Sequence, residues 1–99
     1  MSDRAAWQEL RDERLDQQDA RDGYDDARRA HDLGTAVREL RAARGWTQAQ
    51  LAEAAGMTQS AVARLEAGGT MPTLPVLARL AEAMDADLVV RLAPRAGVA

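Results

Sequence analysis

The sequence predicts an all-α protein, a bundle of about five helices with a helical N-terminal extension and a short β-strand near the C-terminal end. From Leu33 to Met84, apolar residues recur at the three- and four-residue spacing of a helix face, with glycines where helices should end. The stretch 47–68, TQAQLAEAAGMTQSAVARLEAG, predicts two short helices joined by a tight turn. Residues 87–92, DLVVRL, favour a strand instead, because valine is β-branched.

The first of the two short helices is predicted to begin after Thr47, whose hydroxyl can accept a backbone N–H of the first turn. Gln50, three positions later, completes a capping-box pattern. Gly56 is placed to end this helix, Thr58 to cap the next one, and Gly68 to end it. The two apolar faces are predicted at Leu51, Ala52 and Ala55, and at Val62 and Leu65.

One side of the second helix carries short or flexible side chains that lie off its apolar stripe. Gln59, Ser60 and Arg64 supply hydrogen-bond donors and acceptors, and Ala63 leaves room between them. Such residues contact base edges in a DNA major groove. An ordinary helical hairpin with a solvated face is the alternative, and the hairpin sequence alone leaves both open.

At these residues the chain resembles the Xre/Cro-type helix-turn-helix domains of phage repressors and bacterial antitoxins. The shared elements are Thr-Gln, Leu-Ala, a glycine turn, Thr-Gln-Ser, an aliphatic residue and Glu-x-Gly, and the resemblance extends from about Leu33 to about Leu92. It implies a DNA-binding domain at 33–86. The expected DNA contacts are Thr47, Gln48, Thr58, Gln59, Ser60, Ala63 and Arg64, with Gln48 expected at a phosphate.

The resemblance also implies a structural ion pair. In Xre/Cro-type domains, an arginine late in the first helix often pairs with the glutamate of the Glu-x-Gly element, and Arg41 and Glu66 match those positions. Such a pair would tie the first helix to the end of the recognition helix. Trp46, directly before the Thr47 cap, is predicted to pack at the core as a hydrophobic staple.

Charge is distributed unevenly along the 99 residues. The formal net charge is −3, yet residues 1–33 carry six arginines and ten acidic residues, whereas 34–84 carry five arginines and four glutamates. The helix-turn-helix part is therefore weakly basic, which allows DNA binding but predicts modest affinity for a monomer.

The segment 1–32 is acidic and poor in apolar residues, and it is predicted to form one helix, a break near Gly23, and a second helix. Trp7, Leu10 and Tyr24 are apolar side chains in this charged setting, which suggests anchors for pockets on a partner. The equally weighted alternative is that the two aromatic residues pack back onto the chain's own domain.

A narrower resemblance is to HigA-type antitoxins, through the acidic Trp-containing lead, the Tyr24-DDARRA segment and the closing DLVVRL. It implies a homodimeric repressor that binds a palindromic operator, neutralises a HigB/RelE-like ribonuclease toxin and autoregulates its operon. A stand-alone Xre-type regulator is the alternative, and an interaction domain without DNA binding is a weaker third. A lone strand has no partner within the chain, so residues 87–92 are expected to pair with a second copy, with Val89 and Val90 near the centre, and to be followed by a tail at 93–99; a frayed extended tail is the alternative.

Several classes of protein receive no support from the sequence. There is no cysteine, and His31 is the sole histidine, so neither a metal site nor a cofactor is expected. The sequence contains no arrangement of catalytic groups that predicts an enzyme. It shows no apolar run of membrane-spanning length and no signal peptide, so a cytoplasmic location is expected.

Overall fold

The computed structural model describes residues 2–96, and within the first helix it does not describe the side chains at 2–5, 7, 12–16, 18 and 19. The described residues form four helices: α1 (Ser2–Ala43), α2 (Gln48–Ala55), α3 (Gln59–Glu66) and α4 (Leu74–Ala83). The predicted all-helical class is confirmed for this part of the chain. None of these helices combines the length and the apolar composition needed to cross a membrane.

The N-terminal extension and the first helix of the bundle are a single helix of 42 residues. The predicted break near Gly23 is therefore wrong, and the structure describes four helices. One interior glycine costs a helix only about 1 kcal/mol, and residues 1–71 contain no proline to interrupt it. Charged pairs along the helix, such as Arg29 with Asp26 at 3.4 Å, are compatible with its continuation.

The core lies where α2 and α3 meet, with α1 packed against α3 and α4 packed against α2. Leu51, Val62 and Leu80 are almost completely buried at its centre. Val37 of α1 and Met84 after α4 close the cluster on either side. Each such side chain contributes about 1.5–3 kcal/mol by leaving water, so this cluster fixes the relative positions of α2 and α3.

The predicted helix ends of the bundle are confirmed by their capping contacts. Thr47 and Gln50 form the reciprocal capping box of α2, and Gly56 ends that helix in the left-handed conformation with φ +67°. Thr58 and Thr73 accept backbone N–H groups at the starts of α3 and α4. These caps make the turn between α2 and α3 short and well defined.

Two glycines allow α1 to touch the C-terminal end of α3. Gly34 is buried, and a Cβ added there would lie 2.8 Å from the carbonyl oxygen of Glu66 and closer still to that of Leu65. Gly68 has φ +75°, and a Cβ there would lie 3.0 Å from the Cα of His31. Gly34 therefore allows a close backbone approach from within a helix, and no helix begins at this residue.

The described part of α1 before Ala30 has almost no contact with the bundle. We call residues 2–29 the N-terminal arm. Its described side chains are exposed apart from a half-buried Asp25, and Ala30 is the first buried side chain of α1. The molecule is 65 Å in its longest dimension, close to the length of about 63 Å that 42 residues of helix span.

The predicted C-terminal strand is not seen: residues 87–92 have no regular secondary structure in the structure, which describes a single chain. An extended segment needs a neighbouring strand for its backbone hydrogen bonds, and the described residues supply none. Leu40 and Leu74 belong to the apolar helical pattern between Leu33 and Met84, yet both are exposed. A surface with apolar side chains therefore remains on α1, α4 and the C-terminal segment.

Candidate nucleic-acid interface

The outward side of α3 carries the residues expected to contact bases. Gln59, Ser60 and Arg64 are exposed and Ala63 is half-buried, whereas Val62 and Leu65 on the opposite side are buried in the core. Because the buried pair anchors the helix, the exposed side chains project from a fixed support. The arrangement matches what a recognition helix requires, namely a polar face that can enter a major groove.

Both capping threonines use their hydroxyl groups within the protein. The Thr47 hydroxyl accepts the Gln50 N–H at 3.1 Å, and the Thr58 hydroxyl accepts the Ala61 N–H at 3.1 Å. Both residues are nevertheless exposed, each at the N-terminus of a helix. Helix N-termini attract phosphate through free N–H groups and the helix dipole, so the expected role of both threonines at DNA stays a prediction.

Gln48 is half-buried, and its amide Nε2 donates to Glu66 Oε1 at 3.2 Å. This contact links the first turn of α2 to the last residue of α3. An amide has a second N–H and a carbonyl oxygen, so the bond to Glu66 leaves Gln48 able to meet a phosphate. The bond also restricts the orientation of the amide before any DNA arrives.

Arg41 and Glu66, the pair expected from the resemblance, lie in direct contact. Arg41 donates from Nε to Glu66 Oε2 at 2.6 Å and from Nη2 to Glu66 Oε1 at 2.9 Å, and its Nη1 donates to the backbone oxygen of Trp46 at 2.7 Å. The Glu66 side chain is only 3% exposed and that of Arg41 16% exposed. The bidentate Arg41–Glu66 pair, together with the bond to Trp46, joins α1, the turn before α2 and the end of α3.

The ionisation of Glu66 follows from these contacts. Burial raises the pKa of its carboxyl group, but hydrogen bonds from Arg41 and Gln48 and the positive charges of Arg41 and Arg38 outweigh burial, so the pKa lies below its usual value. The hydrogen bond to Glu66 in turn raises the pKa of Arg41. Both groups are therefore charged at neutral pH, and the pair adds no net charge to the helix-turn-helix unit.

Arg44 makes a further contact that the sequence did not predict. Its guanidinium lies 4.6 Å from the centroid of the Trp46 ring, and its Nη1 donates to the backbone oxygen of Met84 at 2.9 Å. Arg44 thus connects the end of α1 to the end of α4 over the face of the tryptophan. An arginine two positions before an aromatic residue was the available signal, but the distant carbonyl could not be inferred.

The residues expected to bind a partner or a second copy lie outside the helix-turn-helix unit. Leu10 and Tyr24 are exposed on the N-terminal arm, Tyr24 to 69%, which excludes packing of Tyr24 onto the chain's own domain. The side chain of Trp7 lies outside what the structure describes. Val89 and Val90 are exposed in the C-terminal segment.

Comparison with known families gives one clear match. A sequence model of the helix-turn-helix family covers residues 37–90, which is more than half of the chain. Searches of curated proteins and of solved structures gave no significant match. The matched region contains α2 and α3 with their turn, the Arg41–Glu66 pair and the core, so the chain belongs to the helix-turn-helix family, in its Xre type.

Proposed function

We propose that the protein is a sequence-specific transcriptional repressor that binds an operator through α3. The observation that supports this proposal most directly is the exposed polar face of α3, which is the second helix of a capped helix-turn-helix. Gln59 at the first turn suits paired hydrogen bonds to adenine, and Arg64 suits guanine O6 and N7. Gln48 and the N-terminus of α2 hold the flanking phosphates.

Arg64→Ala is expected to weaken operator binding by about 1–3 kcal/mol and to relax the preference at one base pair. The Arg64 side chain is exposed and forms no hydrogen bond or ion pair within the described part of the chain, so its removal should leave the fold intact. The operator is identified by selecting, from a pool of random duplexes, those that bind the wild-type protein. The affinities of wild type and variant for this duplex and for a scrambled duplex are then compared by fluorescence anisotropy.

Arg79→Ala is the matched control, since Arg79 is an exposed arginine on α4 rather than on α3. It should keep the wild-type ratio between operator and scrambled duplex. If Arg64→Ala kept that ratio as well, base contact by Arg64 would be refuted. If the wild-type chain selected no duplex at all, the proposal of a sequence-specific repressor would fail.

The operator-binding form is proposed to be a homodimer on a palindromic site, with half-sites about 34–36 Å apart, one turn of duplex. Support comes from the apolar side chains left uncovered on the single chain: Leu74 on α4 is 55% exposed and Val89 is 80% exposed. Antiparallel pairing of residues 87–92 from two chains would supply the backbone partners that one chain lacks.

Val89→Asp combined with Val90→Asp is expected to shift the protein towards monomer and to weaken binding to the full palindrome. Both side chains are exposed, so the substitutions should leave the monomer fold unchanged. Sedimentation velocity at micromolar concentrations measures the shift, with a chain ending at Ala93 as the control that keeps both valines. A wild-type chain that remained monomeric at high micromolar concentration would exclude this dimer.

A second candidate function, the antitoxin of a HigBA-like pair, is favoured by the N-terminal arm. An acidic helix with exposed Leu10 and Tyr24 has no partner among the described residues of the chain. A basic ribonuclease toxin of the RelE-like class fits both features, because its charge is opposite and its pockets can take the apolar side chains. A stand-alone regulator remains the alternative.

Deletion of residues 1–26 is expected to abolish neutralisation of the toxin and to leave operator binding within a few-fold of wild type. This deletion retains Ala30 and Gly34, which are buried in the bundle. The assay is co-purification with the product of the neighbouring gene, with Tyr24→Ala as the single-residue test. Full capture by the deleted chain would place the toxin site elsewhere.

A further inference from the structure

The helix-turn-helix unit owes its positive charge to few residues. Residues 34–84 contain five arginines and no lysine, and these arginines differ in what surrounds them. Phosphate binding requires a cation that is exposed and not already neutralised. The arginines concerned are Arg38, Arg41, Arg44, Arg64 and Arg79.

Two of these arginines form contacts within the protein, and a third lies on α4. Arg41 uses all three nitrogens of its guanidinium on Glu66 and Trp46. Arg44 stacks on the Trp46 ring and donates to a backbone oxygen. Arg79 lies on α4, which packs against α2, and Glu82 follows three positions later on the same helix, although no ion pair joins the two among the described residues.

Two arginines remain, and Arg64 already has a proposed role at a base. Arg38 is exposed, and the positions three and four residues before and after it on α1 hold no carboxylate. Within the described residues, its guanidinium makes no hydrogen bond or ion pair. Of the two arginines that α1 contributes to the helix-turn-helix unit, Arg38 is therefore the exposed one, and its charge is free to bind an anion.

The position of Arg38 relates it to the DNA-facing residues. It lies one helical turn before Arg41, and its charge is near enough to Glu66 to lower the pKa of that carboxyl group. Glu66 in turn accepts the Gln48 amide at the start of α2. Glu66 thus lies in contact with Gln48 and within electrostatic range of Arg38, where α1, α2 and the end of α3 come together.

We propose that Arg38 is a phosphate-binding residue, contacting the DNA backbone beside the phosphate met by Gln48. The inference rests on the proposed repressor function and adds α1 to the helices that contact DNA. Arg38 supplies charge and register without base preference, whereas Arg64 supplies preference. Arg41, the neighbouring arginine, contributes structure only, since Glu66 neutralises it.

The test is the salt dependence of operator binding by full-length protein, for wild type, Arg38→Gln, Arg38→Lys and Arg79→Gln. Affinity falls as salt rises, and removing one phosphate contact reduces the magnitude of the slope of log affinity against log salt by about 0.9 for each bound subunit. Between 50 and 200 mM salt, each wild-type subunit should therefore lose about 3.5-fold more affinity than the Arg38→Gln subunit. Arg38→Lys keeps the charge and should keep the slope, and Arg79→Gln should match wild type.

The outcomes separate the two proposals. Arg38→Gln should weaken operator and scrambled duplex equally, unlike the Arg64 variant. A wild-type slope for Arg38→Gln, or an equal loss in Arg79→Gln, would overturn the phosphate contact while leaving the repressor function intact. Failure of the wild-type chain to select any duplex would instead overturn the function itself. Thermal unfolding of each variant checks that the fold is retained.

Discussion

Gly34→Ala is expected to destabilise the protein by about 3 kcal/mol, although alanine is ordinarily the better residue inside a helix. The added methyl group would meet the carbonyl oxygens of Leu65 and Glu66, the latter at 2.8 Å. These are backbone atoms at the end of α3 and cannot rotate aside, so α1 must move away from α3. Urea unfolding followed by circular dichroism measures the loss.

Gly23→Ala provides the matched control, because the substitution and the helix are the same. A Cβ added at Gly23 would have no atom within 4 Å apart from its chain neighbours and the backbone of its own helix. This variant should gain up to about 1 kcal/mol of helix stability, seen as a higher helical signal and a higher unfolding midpoint. The two glycines should therefore shift stability in opposite directions. A Gly34→Ala protein as stable as wild type would contradict the close crossing of α1 and α3.

Glu66→Ala is also expected to have a large effect, lowering the free energy of unfolding by about 3 kcal/mol. The substitution strands the Arg41 guanidinium, whose side chain is only 16% exposed, and removes the acceptor of the Gln48 amide. Arg41→Ala should cost a similar amount, and the double variant should cost clearly less than the two losses added together. Glu53→Ala, at an exposed position on α2, is the control and should stay within about 0.5 kcal/mol of wild type.

The same pair predicts a specific dependence on pH. The folded pKa of Glu66 lies below its usual value of 4.5, so the folded state binds this proton more weakly than the unfolded state does. The stabilisation is complete above the unfolded pKa and is lost as the pH falls through the folded pKa. Urea unfolding between pH 7 and pH 3 should show a smaller acid loss in Glu66→Gln than in wild type, and parallel curves would contradict the assignment.

Local signals explain why the helix-turn-helix unit could be predicted from the sequence. Thr47 and Gln50 satisfy each other within one turn, and Gly56 adopts the left-handed conformation that glycine favours. The buried residues of α3, Val62 and Leu65, follow helical spacing. In each case the determinants lie within a few residues of their effect, so no knowledge of tertiary contacts was needed.

The features that could not be predicted depend on distant partners. Gly34 is explained only by the backbone of α3, more than 30 positions along the chain. The bond from Gln48 to Glu66 likewise joins residues that are remote in sequence. The break expected near Gly23 rested on composition, whereas the continuity of α1 reflects the low cost of one glycine and the absence of proline. The C-terminal segment could form a strand only with a partner that one chain does not contain.

The continuity of α1 has a geometric consequence for anything attached to its N-terminal arm. Each residue of an α-helix advances the chain by about 1.5 Å and turns it by about 100°. A molecule held near Tyr24 is therefore fixed in angle, as well as in distance, relative to Gly34 and the end of α3. One residue inserted between Tyr24 and Ala30 would carry that molecule a quarter-turn or more around the helix axis, whereas an insertion of seven would return it nearly to its original side, about 10 Å farther away. The number of residues in the arm thus determines the direction, around the helix axis, in which a bound molecule faces the bundle.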